Sequence, residues 1–115
     1  MTRYGNYADL SYFTGYVQNA SKVAGNRPLW ITEFEGQNEY WNGPATDDQQ
    51  TQFMKSVLPW LDSLSYVERY AYFGVFESSS NGAYLINSSG TGLSESGNMY
   101  ATSSTVNSTT PAALS

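Results

Sequence analysis

Pro28-Leu29-Trp30-Ile31-Thr32-Glu33-Phe34 is an apolar run closed by a carboxylate. Its β-branched and aromatic residues fit a strand. Period two places Leu29, Ile31 and Glu33 on one side and Trp30, Thr32 and Phe34 on the other. Both sides are apolar, as in a strand of a parallel sheet covered on two faces. Burying a carboxylate costs several kcal/mol unless it is paired or put to use. Glu33 is therefore either a strand-end acid that reaches solvent or a functional group.

The flanking sequence alternates helix and strand. Upstream, Leu10, Phe13, Val17, Ala20 and Ala24 recur at three- and four-residue steps, which predicts a helix over residues 9–24. Asp9 is its expected N-cap and Gly25-Asn26 its stop. Residues 1–8 read as a strand end and a loop, with nothing before Tyr4 long enough to be the strand itself. Downstream, residues 35–45 read as a loop with exposed aromatics. Thr46-Asp47-Asp48-Gln49 has capping-box spacing and opens a helix to Leu58. Pro59 is expected to break that helix or start a short second one over residues 59–64. Residues 67–76 form a second strand, with Arg69, Ala71 and Phe73 on one face and Tyr70 and Tyr72 on the other. A Ser-rich loop over residues 77–82 follows. A short extra strand at Tyr84-Leu85-Ile86, a weak helix over residues 93–101 and a disordered Ser/Thr-rich tail over residues 102–115 complete the chain.

Strand end, helix, strand, helix, strand, helix is a βα repeat and implies a parallel sheet. The 115 residues allow one small domain. A (β/α)8 barrel takes about 250 residues. The expected fold class is α/β: an incomplete C-terminal part, about the last third, of such a (β/α)8 barrel, over residues 1–101.

Composition narrows the chemistry. The chain has no Cys and no His, which excludes thiolate sites and any His-based triad within it. Acid–base work falls to Asp, Glu, Tyr or Lys. A net charge of −5 with five basic residues argues against nucleic acid and anionic membranes as partners. No run approaches the roughly 20 apolar residues of a membrane helix, and the N-terminus lacks a signal-peptide core. Asn19, Asn87 and Asn107 head glycosylation sequons, which matter only on a secretory route.

Trp30-Ile31-Thr32-Glu33-Phe34, the Asp48-Gln49-Gln50 and Phe53-Met54 helix, Pro59-Trp60-Leu61 and Glu68-Arg69-Tyr70-Ala71-Tyr72-Phe73-Gly74 together resemble the Asl1-like glycosyl hydrolase catalytic core, glycoside hydrolase family 128. The likeness runs from about Tyr4 to Tyr100. It implies a barrel that hydrolyses β-1,3-glucan by a retaining mechanism with two Glu. It also implies an extracellular or cell-wall setting, a glucan polysaccharide or oligosaccharide as partner, and no cofactor or metal. Glu33 takes the nucleophile's place at the end of strand seven. The acid/base Glu of strand four has no counterpart here, so the chain alone is expected to be inactive. The alternatives are a non-catalytic glucan-binding or wall-associated protein and a non-functional fragment.

Retaining glycosidases hold their two carboxyls about 5–5.5 Å apart. Glu35 falls about 7 Å beyond Glu33 along an ideal strand. Glu39 and Glu77 lie in loops at the same end. The sequence offers none of the three a means of raising its pKa. Tyr4, Trp41 and Phe73 are the candidate substrate-binding residues, able to stack on pyranose faces; barrel-core packing competes as the reading of Phe73, and an incidental loop position as that of Trp41. Trp30, Phe34, Tyr70 and Tyr72 are expected to pack under the outer helices, and Arg69 to pair with Glu68 or Asp62.

Overall fold

The computed structural model describes residues 1–80 and 82–106. Strand β1 (Gly5–Asn6) leads into helix α1 (Leu10–Ala24). Strands β2 (Leu29–Phe34) and β3 (Gly36–Gln37) follow, then helix α2 (Asp47–Ser63), strand β4 (Val67–Tyr72) and helix α3 (Glu95–Val106). β1 pairs in parallel with β3, and β2 in parallel with β4. Pairing starts before β1. The Thr32 amide donates to Met1 O, Arg3 N to Glu33 O, Gly5 N to Glu35 O and Tyr7 N to Gln37 O. The N-terminal residues thus already run as a strand beside the β2–β3 segment, earlier than the sequence suggests. Three parallel strands lie side by side in chain order.

One face of this layer is covered. Phe13 and Val17 of α1 meet Ile31 and Phe34 of β2, Tyr72 of β4, and Phe53, Met54, Val57, Leu58 and Leu61 of α2 in a single buried core. The approach is close at Gly5, where an added Cβ would sit 2.8 Å from Phe53 Cζ. Tyr70 and Tyr72 lie on this face as expected: the Tyr70 hydroxyl donates to Asp62 Oδ1 at 2.7 Å, and the Tyr72 ring meets Tyr100 of α3.

Strict alternation along β2 fails. The β2–β4 register shifts between Ile31 and Phe34, and both of these residues are buried in the core. Thr32 and Glu33 therefore both stay out of the core, where period two alone separates them. Trp30 also departs from the expectation. It does not pack under the helices but is 52% exposed on the uncovered face, with the Arg69 guanidinium 5.7 Å from its ring centre. An inserted residue after Ile31 explains how Phe34 reaches the core, because it moves every later side chain to the other face; Trp30 precedes it and keeps the alternation, opposite Ile31.

Other boundaries differ for local reasons. α2 continues through Pro59 as one helix. Burial of Leu58 and Leu61 on either side offsets the hydrogen bond that proline removes. The Thr46–Gln49 capping box forms as expected. Asp9 occupies the α1 N-cap without a side-chain capping bond. β4 ends at Tyr72, since Gly74 turns the chain at φ +111°. Tyr84-Leu85-Ile86 forms no strand of its own; Ile86 makes isolated bridges to Glu77 and Leu93. α3 starts two residues after the expected helix and runs to Val106, with the Asp47 carboxylate accepting from the amides of Glu95 and Ser96 at its N-terminus. Most of the expected tail, residues 107–115, lies outside the described residues.

Candidate active site

The parallel layer brings three chain segments to one end. Glu33 is the penultimate residue of β2, Tyr4 lies beside it on the N-terminal segment, and Phe73 follows β4. The Tyr4 hydroxyl donates to Glu33 Oε2 at 2.7 Å, and the Tyr4 and Phe73 rings lie 5.9 Å apart. Burial and the Glu33 carboxylate push the Tyr4 hydroxyl up to about 12, so it remains a donor at any physiological pH. Glu33 is half-buried. One oxygen is thus oriented by a neutral phenol, and a half-buried aromatic ring flanks the site.

Trp41 is not brought to this cluster. Its ring packs 4.7 Å from Tyr12 of α1, and Tyr12 in turn accepts a hydrogen bond from the Arg3 guanidinium. Trp41 is 45% exposed and has a left-handed φ of 60°, rare for a bulky residue. The Asn38 side chain organises its loop by accepting from the amides of Tyr40 and Asn42.

Glu39 and Glu77 are exposed. Glu35 is the departure. It is 2% exposed, its Oε1 accepts from Gln37 Nε2 at 2.9 Å, and its Oε2 is buried with no hydrogen-bond partner. Burial raises its pKa to about 7, the Gln37 bond opposes the rise, and the Glu33 charge adds to it. The expectation that Glu35 lacks such a means is therefore wrong. The Gly74 turn comes close to its side chain, with an added Cβ 3.6 Å from Oε2, and residue spacing does not reveal that approach.

A second residue that pattern reading passes over is Gln50. It is fully buried; its Nε2 donates to Ala45 O and Ala83 O, and its Oε1 accepts from the Tyr72 hydroxyl at 2.8 Å. The Tyr72 oxygen in turn accepts from the Gly36 amide at 3.0 Å. This chain of bonds pins β3, and with it Glu35, to the core. An amide on the otherwise apolar stripe of α2 was the available signal. Among the described residues, no group of Asp or Glu is arranged to hold a metal ion.

Comparisons with known proteins place the chain in a family. The family model described as glycosyl hydrolase catalytic core matches residues 4–100. Alkali-sensitive linkage protein 1 of Schizosaccharomyces pombe is 36% identical in an alignment of 99 residues that covers 80% of this chain and 18% of that protein. A curdlan-specific exo-β-1,3-glucanase from Blastomyces gilchristii, of family 128 subgroup III and solved with glucose, aligns at 32% identity with a TM-score of 0.63. The alignment covers 86% of this chain and 37% of the glucanase. A subgroup II endo-β-1,3-glucanase from Sorangium cellulosum, at 23% identity, shares the fold with a TM-score of 0.66 over 86% of this chain and 38% of its own. The chain thus spans well under half the length of these relatives. Its residues from Tyr4 to Tyr100 make it a member of the Asl1-like glycosyl hydrolase catalytic core, glycoside hydrolase family 128.

Proposed function

We propose that this chain carries the nucleophile half of a retaining β-1,3-glucan hydrolase site, with Glu33 as the nucleophile. The observation that supports this most directly is the Glu33 carboxylate at the end of a parallel strand, bonded by Tyr4 and flanked by Phe73, in a chain of family 128. In the reaction, one Glu33 oxygen attacks the anomeric carbon of a glucosyl unit and forms a glycosyl ester as the glycosidic bond breaks. The Tyr4 hydroxyl orients the carboxylate. Tyr4 and Phe73 offer ring faces to the sugar. Trp41, seated on Tyr12, belongs to a more distant part of the glucan path. No cofactor takes part.

The barrel reading fits the strand order. Three parallel strands in chain order with both crossover helices on one face suit a singly wound barrel, and these would be strands six to eight of eight. The uncovered face, with Trp30 and Arg69, would then be the barrel interior. The leaving oxygen must be protonated by a second carboxylic acid. Glu35 is enclosed, and Glu39 and Glu77 are exposed loop acids, so this partner comes from strand four, outside these residues. An extracellular or cell-wall setting follows from the family likeness.

The purified chain is expected to release no reducing sugar from a linear β-1,3-glucan. Steady release that disappears in Glu33→Gln would show that both carboxyls are present in this chain. The second reading, a non-catalytic glucan-binding protein, is favoured by the exposed Trp41 and Tyr40. Retention on insoluble β-1,3-glucan that is lost in Trp41→Ala and unchanged in Glu33→Gln would support it.

A further inference from the structure

We propose that Glu35 is a positioning residue for Glu33, built into the fold as an uncharged carboxylic acid that holds β3 against the Gly74 turn and is displaced when it ionises. The role in catalysis rests on the assignment of Glu33 as nucleophile; the uncharged state of Glu35 does not. Three observations lead here. The side chain is 2% exposed, which closes it to substrate, and a group that substrate cannot reach acts through its neighbours. Its Oε1 has one donor, Gln37 Nε2, while Oε2 is buried without any. A buried carboxylate ordinarily collects two or three donors, whereas a carboxylic acid tolerates fewer. The space is also full: a Cβ on Gly74 would lie 3.6 Å from Oε2 and 2.8 Å from Tyr84 Cδ1.

The surroundings supply no compensating charge. The titratable groups facing Glu35 are Glu33 of β2, Tyr4 of the N-terminal segment and Tyr72 of β4, and Tyr84 closes the Gly74 side. All are acids, and no cation is among them in the described residues. Ionisation would place a buried second negative charge near the half-open carboxylate of Glu33. The backbone around Glu35 is fixed by Gly5 N on its carbonyl and by the Tyr72 hydroxyl on the next amide. Strain from an ionised Glu35 therefore falls on β3, the Gly74 turn and the Tyr4–Glu33 bond. The burial-driven rise in its pKa to about 7 puts this change near neutrality.

Carbon-13 NMR of the carboxyl groups in the full chain tests the proposal. Glu35 is expected to titrate near neutrality, with the amides of Gly36 and Gly74 and the carboxyl of Glu33 shifting at the same midpoint. Glu35→Gln should stay folded and remove that step from all three. Gln37→Leu deletes the one donor and should move the midpoint upward. A Glu35 midpoint in the ordinary carboxylate range, or a step at Glu33 and Gly36 that survives Glu35→Gln, overturns the proposal. So does a midpoint that Gln37→Leu leaves in place. Titration with a linear β-1,3-gluco-oligosaccharide adds a readout that a purely structural acid would not move. Affinity should fall by on the order of tenfold between pH 5 and pH 8 in the native chain and stay level in Glu35→Gln. A parallel fall in both proteins contradicts the positioning role. Absence of any oligosaccharide response, with the NMR steps as expected, supports the buried acid and counts against the glucanase reading.

Discussion

At the residue scale, two glutamates two positions apart have opposite fates. Glu33 stays half-open, with a neutral phenol on one oxygen, while Glu35 is sealed in beside it. Their difference has a thermodynamic signature. The folded chain keeps a proton on Glu35 up to about pH 7, whereas the unfolded chain releases it near the ordinary 4.5. Between those values the folded state holds more protons, so stability must fall as pH rises. The contribution is intact below the unfolded pKa and lost as pH passes through the folded one. It amounts to about 3 kcal/mol across the window. Urea unfolding of the native chain against Glu35→Gln from pH 4 to pH 8 isolates it. The difference between the two should change by that order, with Glu35→Gln relatively more stable at the alkaline end. A constant difference would contradict the buried acid.

At the element scale, the turn after β4 matters more than its length suggests. Gly74 has φ +111°, and a Cβ there would strike Tyr84 at 2.8 Å. Gly74→Ala is expected to cost about 2–3 kcal/mol, read from the denaturant midpoint, by combining backbone strain with that clash. The pattern of elements was legible because helix stripes and the capping box are local signals. Leu10, Phe13 and Val17 announce α1, and Thr46 with Gln49 announces the start of α2. The seating of side chains on β2 was less so. Glu33 showed itself as an acid on an apolar strand, but one inserted residue moved Phe34 into the core, while Trp30 lies on the face the helices leave open. Periodicity has no term for such a shift, which depends on how β2 registers with a strand almost forty residues later. Glu35 and Gln50 escaped for a related reason. Their burial comes from contacts with Gln37, Gly74, Tyr72 and Ala83, and only the folded chain assembles these.

At the scale of the whole molecule, the sheet is covered on one face only, and Trp30 and Arg69 lie on the other. The family match over residues 4–100 explains the arrangement of what is present. If Glu33 is the nucleophile and the acid comes from strand four, as proposed, attack by Glu33 on an unactivated glucan would stall for want of a proton donor. A leaving group that departs without protonation removes that need, and without a general base the glycosyl ester would then persist. Intact-protein mass spectrometry after incubation with a dinitrophenyl β-1,3-linked glucobioside measures this directly. The expected result is one glycosyl adduct per chain, mapped to Glu33 and absent in Glu33→Gln. An unlabelled chain, or an adduct on another residue that survives Glu33→Gln, would contradict the assignment of Glu33 as the nucleophile.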